Sequence, residues 1–281
     1  MIINSLINQG SEILKRQQIS SYQIDAELLL SEVIRKDRVY ILTNGERKIS
    51  FREKSDYFSL INRRKAFEPL SYITGKKEFW SSNFYVNNNV LIPRPETELI
   101  VHQVLKKFEK KNNLNILDIG TGSGCILLSI LKELTNSKGV GIDISLKALN
   151  IAIKNSSKLN LTKRAKFVHC DIDNYIFDNY DIVVSNPPYI CSHEMRYLSE
   201  NVKDFEPRLA LDGGKSGIEV INKVIVKAKK LLKVKGCLYL EIGDNQFEQV
   251  SSMLADNGFK LMKRFFDYSN IIRCIMSTKV N

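Results

Sequence analysis

The spacing of apolar and polar residues divides the chain into two parts. In the first part, apolar residues recur every three or four positions, which is the spacing of amphipathic helices. Ser20 with Gln23 and Ser50 with Glu53 have the spacing of capping boxes, so we expect helices to begin at both places. The pattern therefore predicts a small helical bundle over residues 1–68.

The residue pattern changes between residues 69 and 92. β-branched and aromatic residues become frequent there, in four groups at 72–74, 79–80, 84–86 and 90–92. The polar triplet Ser81-Ser82-Asn83 interrupts them and is typical of a turn. We predict a β-hairpin over 69–92 that links two domains.

From residue 93 onward, short apolar runs alternate with segments of helical spacing. The predicted strands are 114–119, 139–142, 165–170, 181–185 and 237–242, and the predicted helices are 122–134, 145–159, 217–233 and 245–256. Such alternation indicates βαβ units and a doubly wound, mainly parallel sheet. Two final β runs, 258–267 and 270–277, have only a short turn between them and must pair antiparallel. We therefore predict an α/β domain with a seven-stranded sheet over residues 93–281.

The composition is that of an ordinary globular protein. The 281 residues are 43% hydrophobic and 26% charged, and no run approaches the roughly 18 apolar residues of a membrane span. The N-terminus lacks the basic and apolar regions of a secretory signal. The five cysteines form no C-x-x-C pair, which indicates reduced thiols in the cytoplasm and argues against a disulfide frame or a zinc site.

The net charge of +11 admits an acidic partner such as nucleic acid. The lysines are dispersed, however, and the densest groups, at 106–111 and 227–235, resemble solvated helix faces. We therefore attribute the charge to solubility. The three histidines lie far apart without ligand spacing, so we expect no metal site.

A glycine-rich turn follows the first predicted strand of the α/β domain. Gly120-Thr121-Gly122-Ser123-Gly124 leads from this strand into a helix, where bare backbone and unpaired N–H groups can receive a ligand. Asp143 ends the next strand roughly 20 residues further on, where a carboxylate can bind a ribose diol. Together they indicate a site for a nucleoside cofactor; the alternative is a tight turn with a surface aspartate.

The tetrapeptide Asn186-Pro187-Pro188-Tyr189 follows the apolar run 182–184. A residue before proline is excluded from the helical region, and two successive prolines leave carbonyl oxygens as the polar backbone groups. Rigid acceptors beside one flat aromatic ring suit a substrate that offers an NH2 group on a planar system. The alternative is a rigid turn between a strand and a loop.

These two motifs, in this order, resemble the class I S-adenosylmethionine-dependent methyltransferases, and Asn-Pro-Pro-Tyr resembles the branch that methylates amino and amide nitrogens. Two further segments narrow the resemblance, Leu91-Ile92-Pro93-Arg94-Pro95-Glu96-Thr97-Glu98 and the loop 204–214. With the N-terminal helices, they resemble the peptide chain release factor glutamine N5-methyltransferases, the PrmC/HemK family.

The resemblance implies transfer of a methyl group from S-adenosylmethionine to the glutamine side-chain amide in the Gly-Gly-Gln motif of class I bacterial release factors. We expect a monomer that forms no stable nucleic acid complex and does not enter a membrane, and we assign substrate recognition to the bundle 1–68. Residues 120–124 would line the methionine end of the cofactor, Asp143 its ribose, and Asp171 with Ile172 its adenine. Asn186 would touch cofactor and substrate, with Pro187, Pro188 and Tyr189 completing the glutamine pocket.

Several alternatives stay open. The same tetrapeptide suits an amino methyltransferase that acts on adenine N6 or guanine N2 of DNA or RNA, and a module that binds the cofactor without catalysis is a third hypothesis. The segment 93–98 either closes over the site or begins a helix with Pro95 in its first turn. Cys125 opens a predicted helix, and we interpret it as a small core side chain.

Overall fold

The computed structural model describes residues 1–177 and 179–280, so residues 178 and 281 of the predicted domain 93–281 lie outside the described residues. Two compact units are present. The N-terminal unit comprises Met1–Lys76 and Ser199–Phe205, and the C-terminal unit comprises Lys77–Leu198 and the chain from Glu206 onward.

The N-terminal unit is helical, as predicted. Its helices are α1 (Ile3–Arg16), α2 (Tyr22–Ile34), α3 (Arg38–Thr43), α4 (Phe51–Lys65) and α5 (Leu70–Thr74). Fully buried side chains from four of these helices, among them Leu6, Leu29, Ile41 and Ile61, form its core. The spacing of Leu6, Leu29 and Ile61 predicts α1, α2 and α4, whereas α3, which carries Ile41, is not among the predicted helices.

Only one of the two predicted capping boxes forms. Ser50 accepts from the backbone N–H of Glu53, whose carboxylate accepts from the N–H of Ser50, and α4 begins there. The box at Ser20 and Gln23 is wrong, because α2 begins at Tyr22. The hydroxyl at its N-terminus, that of Ser21, donates instead to the Asp25 carboxylate at 2.8 Å.

The predicted hairpin forms, but it is shorter than expected. Strands β1 (Lys76–Phe79) and β2 (Ser82–Tyr85) make a two-stranded sheet. Between them, Trp80 and Ser81 have φ values of 47° and 51°, the positive values that a tight two-residue turn needs. The expectation of β structure at 72–74 and 90–92 is wrong: the first group lies in α5, where Ile73 packs into the helical core, and the second lies in no strand.

The C-terminal unit contains the predicted seven-stranded sheet. Its strands are β3 (Asn115–Ile119), β4 (Lys138–Asp143), β5 (Ala165–His169), β6 (Tyr180–Ser185), β7 (Leu232–Glu241), β8 (Phe259–Phe266) and β9 (Ile272–Lys279). The order across the sheet is β5-β4-β3-β6-β7-β9-β8. The first five strands in this order are parallel, and β9 is antiparallel to both β7 and β8. The short turn before β9 requires its antiparallel pairing with β8.

Helices cover both faces of this sheet. In the described residues the further α-helices are α6 (Glu98–Phe108), α7 (Cys125–Glu133), α8 (Leu146–Lys158), α9 (Glu200–Lys203, within the N-terminal unit), α10 (Glu219–Leu231) and α11 (Phe247–Asp256). Alternate strand residues enter two separate apolar clusters: Ile116 packs with residues of α6 and α7, and Leu117 packs with residues of α10 and α11. This arrangement is the doubly wound fold. No helix in the described part of the chain is both long and apolar enough to cross a membrane.

The strand order places a crevice between β3 and β6. From β3 the chain continues to β4 on one side, whereas from β6 it continues to β7 on the other. Open parallel sheets bind ligands at such a reversal, outside the carboxyl ends of the strands. The glycine-rich turn follows β3, and Asn186 follows β6, so both predicted motifs begin at this crevice.

Candidate active site

The glycine-rich turn has the conformation that its glycines permit. Gly120 and Gly122 have φ values of 71° and 55°, and a Cβ built on either would meet nothing within 4 Å. The space over the turn is therefore open, and side chains other than glycine would both strain the backbone and occupy it. The turn leads directly into α7. It can hold a ligand against its backbone.

Asp143 ties the end of β4 to this turn. One carboxylate oxygen accepts from the N–H of Gly122 at 2.9 Å, and the other accepts from the N–H of Ser145 at 2.8 Å. Burial raises the pKa of Asp143 above its usual value, and these two N–H groups oppose that rise. Each carboxylate oxygen has a further lone pair. Asp143 can thus hold the turn and still accept from a sugar hydroxyl.

Asp171 and Ile172 follow β5 at the same edge of the sheet. The last residue of β5, His169, pairs with Asp143 of β4. The Asp171 carboxylate accepts from the N–H of Asp173 at 2.9 Å and caps a short 3₁₀ turn, and Ile172 packs against the apolar cluster beneath it. The two residues therefore lie beyond Asp143 in the direction away from the glycine-rich turn.

Two polar residues that support the turn are absent from the sequence-based predictions. Asp118 in β3 is 0% exposed and accepts from the Thr121 hydroxyl at 2.6 Å. Burial raises the pKa of Asp118 to about 7. Its signal in the sequence is a carboxylate inside the apolar run Leu117-Asp118-Ile119.

The second is Asn155 of α8, which is buried between the turn and the hairpin. Its amide nitrogen donates to the carbonyl oxygens of Ser123 and Tyr85 at 2.9 and 3.0 Å, and its oxygen accepts from the N–H of Tyr85 at 2.7 Å. One side chain thereby joins β2 to the glycine-rich turn. Nothing in the local sequence pattern distinguishes it from an exposed helical asparagine.

The Asn-Pro-Pro-Tyr segment leaves β6 beside the turn. The hydroxyl of Ser185, the last residue of β6, donates to the carbonyl oxygen of Ile119, the last residue of β3, at 2.7 Å. Asn186, half-buried, donates from Nδ2 to the Thr97 hydroxyl at 3.1 Å. Its Oδ1 is therefore the end of the amide that remains for a ligand.

Thr97 connects Asn186 to a buried carboxylate. The Thr97 hydroxyl donates to Glu241 Oε2 at 2.7 Å, and the Tyr189 hydroxyl donates to Glu241 Oε1 at 3.3 Å. Glu241 ends β7 and is 2% exposed. Burial raises its pKa to about 7, against the hydrogen bonds from Thr97 and Tyr189. Sequence reasoning missed this carboxylate.

The segment that contains Thr97 begins a helix. Pro95–Thr97 form a 3₁₀ turn with proline at its start, and α6 follows at once, which confirms the helix-start interpretation. Glu98 accepts from the N–H of Trp80 in the hairpin turn at 2.8 Å. The helix start therefore brings Thr97 to Asn186 and fastens the hairpin.

The loop from Glu206 to Gly214 contacts both the segment 91–98 and the chain directly after the Asn-Pro-Pro-Tyr segment. Glu206 is 5% exposed, forms an ion pair with Arg94 at 2.5 Å and accepts from the N–H of Ile92 at 3.1 Å. Further along the loop, the N–H of Gly213 donates to the carbonyl oxygen of Ile190 at 2.8 Å. The segment 91–98 and the loop from Glu206 to Gly214, which both contribute to the family resemblance, thus lie beside the Asn-Pro-Pro-Tyr segment.

We assign no chemical role to Cys125 or to a metal ion. Cys125 is buried, and burial raises the pKa of its thiol to about 12, as expected of a core side chain. Within residues 1–177 and 179–280, no group of three or more His, Cys, Asp or Glu side chains could hold a metal ion.

Comparisons with known proteins agree with this geometry. A model of the PrmC N-terminal domain matches residues 5–75, and a methyltransferase domain model matches residues 110–275. The release factor glutamine methyltransferase of Clostridium botulinum is 39% identical over 282 residues, which cover 99% of this chain and 100% of that protein. The corresponding protein of Clostridium acetobutylicum is 36% identical and covers 99% of both chains. The chain belongs to the release factor glutamine methyltransferase family. It is an S-adenosylmethionine-dependent methyltransferase.

A solved structure confirms the fold independently of the family. The methyltransferase from Pyrococcus furiosus superposes with a TM-score of 0.54 at 18% identity, over 81% of this chain and 100% of that one. This family member therefore has the doubly wound fold that its sequence predicts.

Proposed function

We propose that this chain transfers a methyl group from S-adenosylmethionine to N5 of the glutamine side chain in the Gly-Gly-Gln motif of class I release factors. The observation that carries the proposal is the orientation of Asn186. Its NH2 group is engaged by Thr97, which leaves Oδ1 as an acceptor at the crevice. An acceptor at this place suits an NH2 donor such as a glutamine amide.

The cofactor assignments follow the order of the strands. Across β5, β4, β3 and β6 come Asp171 with Ile172, then Asp143, then residues 120–124, then Asn186. We assign these groups to adenine, ribose, the methionine end and the methyl acceptor, in that order. The bare backbone of the turn and the remaining lone pairs of Asp143 fit such a ligand.

The reaction needs geometry more than a reactive side chain. S-adenosylmethionine supplies an activated sulfonium methyl when bound. The amide nitrogen is a poor nucleophile because its lone pair is delocalised, so the protein must hold it in line with the methyl group. We assign this task to Asn186 Oδ1 and a backbone carbonyl of Pro187 or Pro188, which accept from the two N–H groups. These acceptors also stabilise the positive charge that develops on nitrogen. As the carbon–nitrogen bond forms, the carbon–sulfur bond would break to leave a neutral thioether, and the nitrogen would release one of its two protons. We assign Tyr189 to the planar amide, against which its ring stacks.

The domain roles are part of the proposal. We assign substrate recognition to the helical bundle 1–68, the link to 69–92 and catalysis to 93–281. The family match over residues 5–75 and the compact unit that ends at Lys76 support a bundle that includes α5. We also propose that the protein is a monomer and that it is cytoplasmic. The cytoplasmic location fits a substrate that acts in translation and five cysteines that are all free thiols.

One experiment tests the substrate. The purified protein is incubated with S-adenosylmethionine and, separately, with a bacterial class I release factor, total RNA or DNA, and any added methyl is located by mass spectrometry. The proposal expects one methyl group on the glutamine of Gly-Gly-Gln. Methylation confined to RNA or DNA would replace it with the adenine or guanine amino methyltransferase.

A further inference from the structure

We propose that Thr97 and Glu241 are positioning residues that hold Asn186 with Oδ1 towards the substrate. This inference rests on the proposed function, because it concerns how the same amide accepts from the substrate NH2. Neither residue stands in the Asn-Pro-Pro-Tyr motif, and they come from the start of α6 and the end of β7.

The direction of the hydrogen bonds carries the inference. A threonine hydroxyl has one hydrogen to donate. Thr97 donates it to Glu241 Oε2 at 2.7 Å, so towards Asn186 the same oxygen can only accept. At 3.1 Å from Thr97, the amide of Asn186 must therefore present its nitrogen. The amide oxygen is turned to the opposite side.

The ionised carboxylate sets this direction. As an anion, Glu241 only accepts, and it receives hydrogen bonds from both Thr97 and Tyr189. Bonds to a charged acceptor are about twice as strong as neutral ones. A protonated Glu241 could instead donate to Thr97, whose hydrogen would then point to Asn186. The amide would reverse and meet the substrate NH2 with its own NH2.

The surroundings of Glu241 make both states accessible near neutrality. It is fully buried, which raises its pKa, and Glu96 of the 3₁₀ turn adds a like charge. Arg273 of β9 opposes the rise, as do the hydroxyls of Thr97 and Tyr189. The thiols of Cys125 at the start of α7 and Cys274 of β9 are two further titratable groups that interact with this carboxylate. Their own pKa values are raised, so they stay neutral here.

We call the two hydrogen bonds that link Glu241 through Thr97 to Asn186 the relay. Thr97→Val removes the hydroxyl at nearly constant volume and tests the relay directly. With the release factor as substrate, we expect kcat to fall about 100-fold, the loss typical of one positioned hydrogen-bonding group. Affinity for S-adenosylmethionine, measured by calorimetry, should stay within about twofold, because Thr97 is assigned no cofactor contact. Thr97→Ser should restore most of the lost kcat. Thr278→Val is the matched control, since its hydroxyl lies on β9 beside Cys237, roughly four residues along the sheet from Glu241.

An NMR measurement of hydrogen exchange tests the positions of Thr97 and Asn186 independently of which substrate is methylated. In ¹⁵N-labelled protein, the Asn186 side-chain NH2 signals are assigned by their loss in Asn186→Ala. We expect their hydrogen exchange to be slow in the unmodified protein and in Thr97→Ser, and fast in Thr97→Val. Fast exchange in the unmodified protein, or slow exchange in Thr97→Val, would overturn the relay whatever the substrate is.

The two proposals fail in distinguishable ways. If the unmodified protein does not methylate the release factor yet shows the protected NH2, the substrate assignment fails and the relay stands. If it methylates the release factor and folded Thr97→Val keeps near-normal kcat, the relay fails and the substrate assignment stands. If Thr97→Val does not fold, Glu241→Gln takes its place: the relay expects kcat to lose its rise between pH 6 and 8, and an unchanged rise would refute it.

Discussion

Gly213 lies against the carbonyl oxygen of Pro188, so closely that a Cβ on Gly213 would come within 2.8 Å of it. The same Cβ would lie 2.8 Å from the Cα of Tyr189. These are backbone atoms, which cannot swing aside as a flexible side chain can. The loop from Glu206 to Gly214 therefore requires glycine where it supports the Asn-Pro-Pro-Tyr segment.

Gly213→Ala should consequently displace the segment. We expect kcat on the release factor to fall by at least tenfold, because small displacements of a positioned group cost rate. Affinity for S-adenosylmethionine should change little, since the cofactor assignments lie mainly on β3 to β5. Lys215→Ala is the control, because that side chain is exposed directly after the loop. Normal turnover in Gly213→Ala would show that the close contact is irrelevant to catalysis.

Asn186→Ala removes Oδ1, the atom that we propose accepts a hydrogen bond from the substrate amide. We expect turnover to fall by about 100- to 1,000-fold, with the thermal unfolding midpoint nearly unchanged because the side chain is half-buried at a loop. Single-turnover rates at saturating cofactor measure the loss. Asn136→Ala, an exposed asparagine whose amide contacts Asn112, is the control. A near-normal rate would refute the pocket assignment.

Asp143→Ala should weaken cofactor binding by about 10- to 100-fold, the range expected when hydrogen bonds to a charged group are lost. Part of the loss comes through the turn, because the Asp143 carboxylate also holds the N–H of Gly122. Calorimetry with S-adenosylmethionine measures the affinity. Asp173→Ala, an exposed carboxylate beyond β5, should bind normally. Equal affinity of Asp143→Ala and the unmodified protein would exclude the ribose assignment.

The sheet was predictable from sequence because its strands are short apolar runs bounded by turns, and the two motifs because their residues are contiguous. The helix α5 was not, since Leu70–Thr74 is short and contains residues that favour strands. Burial of Ile73 among helices overrides that local preference, and Gly75, with φ of 70°, ends the helix.

The supports of the site were less predictable still. Thr97 and Glu241 lie 144 residues apart, and their contact exists only once α6 and β7 are placed in the fold. Asn155 sits in a helix with ordinary spacing, so its three hydrogen bonds leave no local signal. Glu241 and Asp118 did leave one: a carboxylate within an apolar strand, which is expensive to bury and therefore indicates a partner.

The Arg94–Glu206 ion pair should matter for stability more than a surface pair. The Glu206 side chain is 1% exposed, so Arg94→Ala leaves a buried carboxylate without its cation, at a cost of about 3–5 kcal/mol. Urea unfolding measures the loss. The double variant Arg94→Ala with Glu206→Gln should recover much of it, because the buried charge is gone. Arg16→Ala, which breaks an exposed pair with Glu12, should cost less than about 1 kcal/mol. Equal losses in Arg94→Ala and Arg16→Ala would contradict the argument.

Glu241 should make activity and stability respond to pH in opposite directions. Its pKa is raised from 4.5 to about 7 in the folded protein, so between these values the folded state binds more protons than the unfolded state. The free energy of unfolding contributed by this group must therefore fall as pH rises from about 4.5 to 7. The proposed positioning of Asn186 needs the ionised form, so we expect kcat to rise over pH 6 to 8.

Glu241→Gln removes both responses. Urea unfolding between pH 5 and 8 should show a shallower decline of stability than in the unmodified protein, and kcat should become nearly independent of pH. Glu12→Gln is the matched control, because that carboxylate is largely exposed. A decline in stability of equal slope in Glu241→Gln and the unmodified protein would mean that Glu241 titrates at its ordinary value. In that case the proton on Glu241 could not govern the orientation of Asn186 near neutral pH.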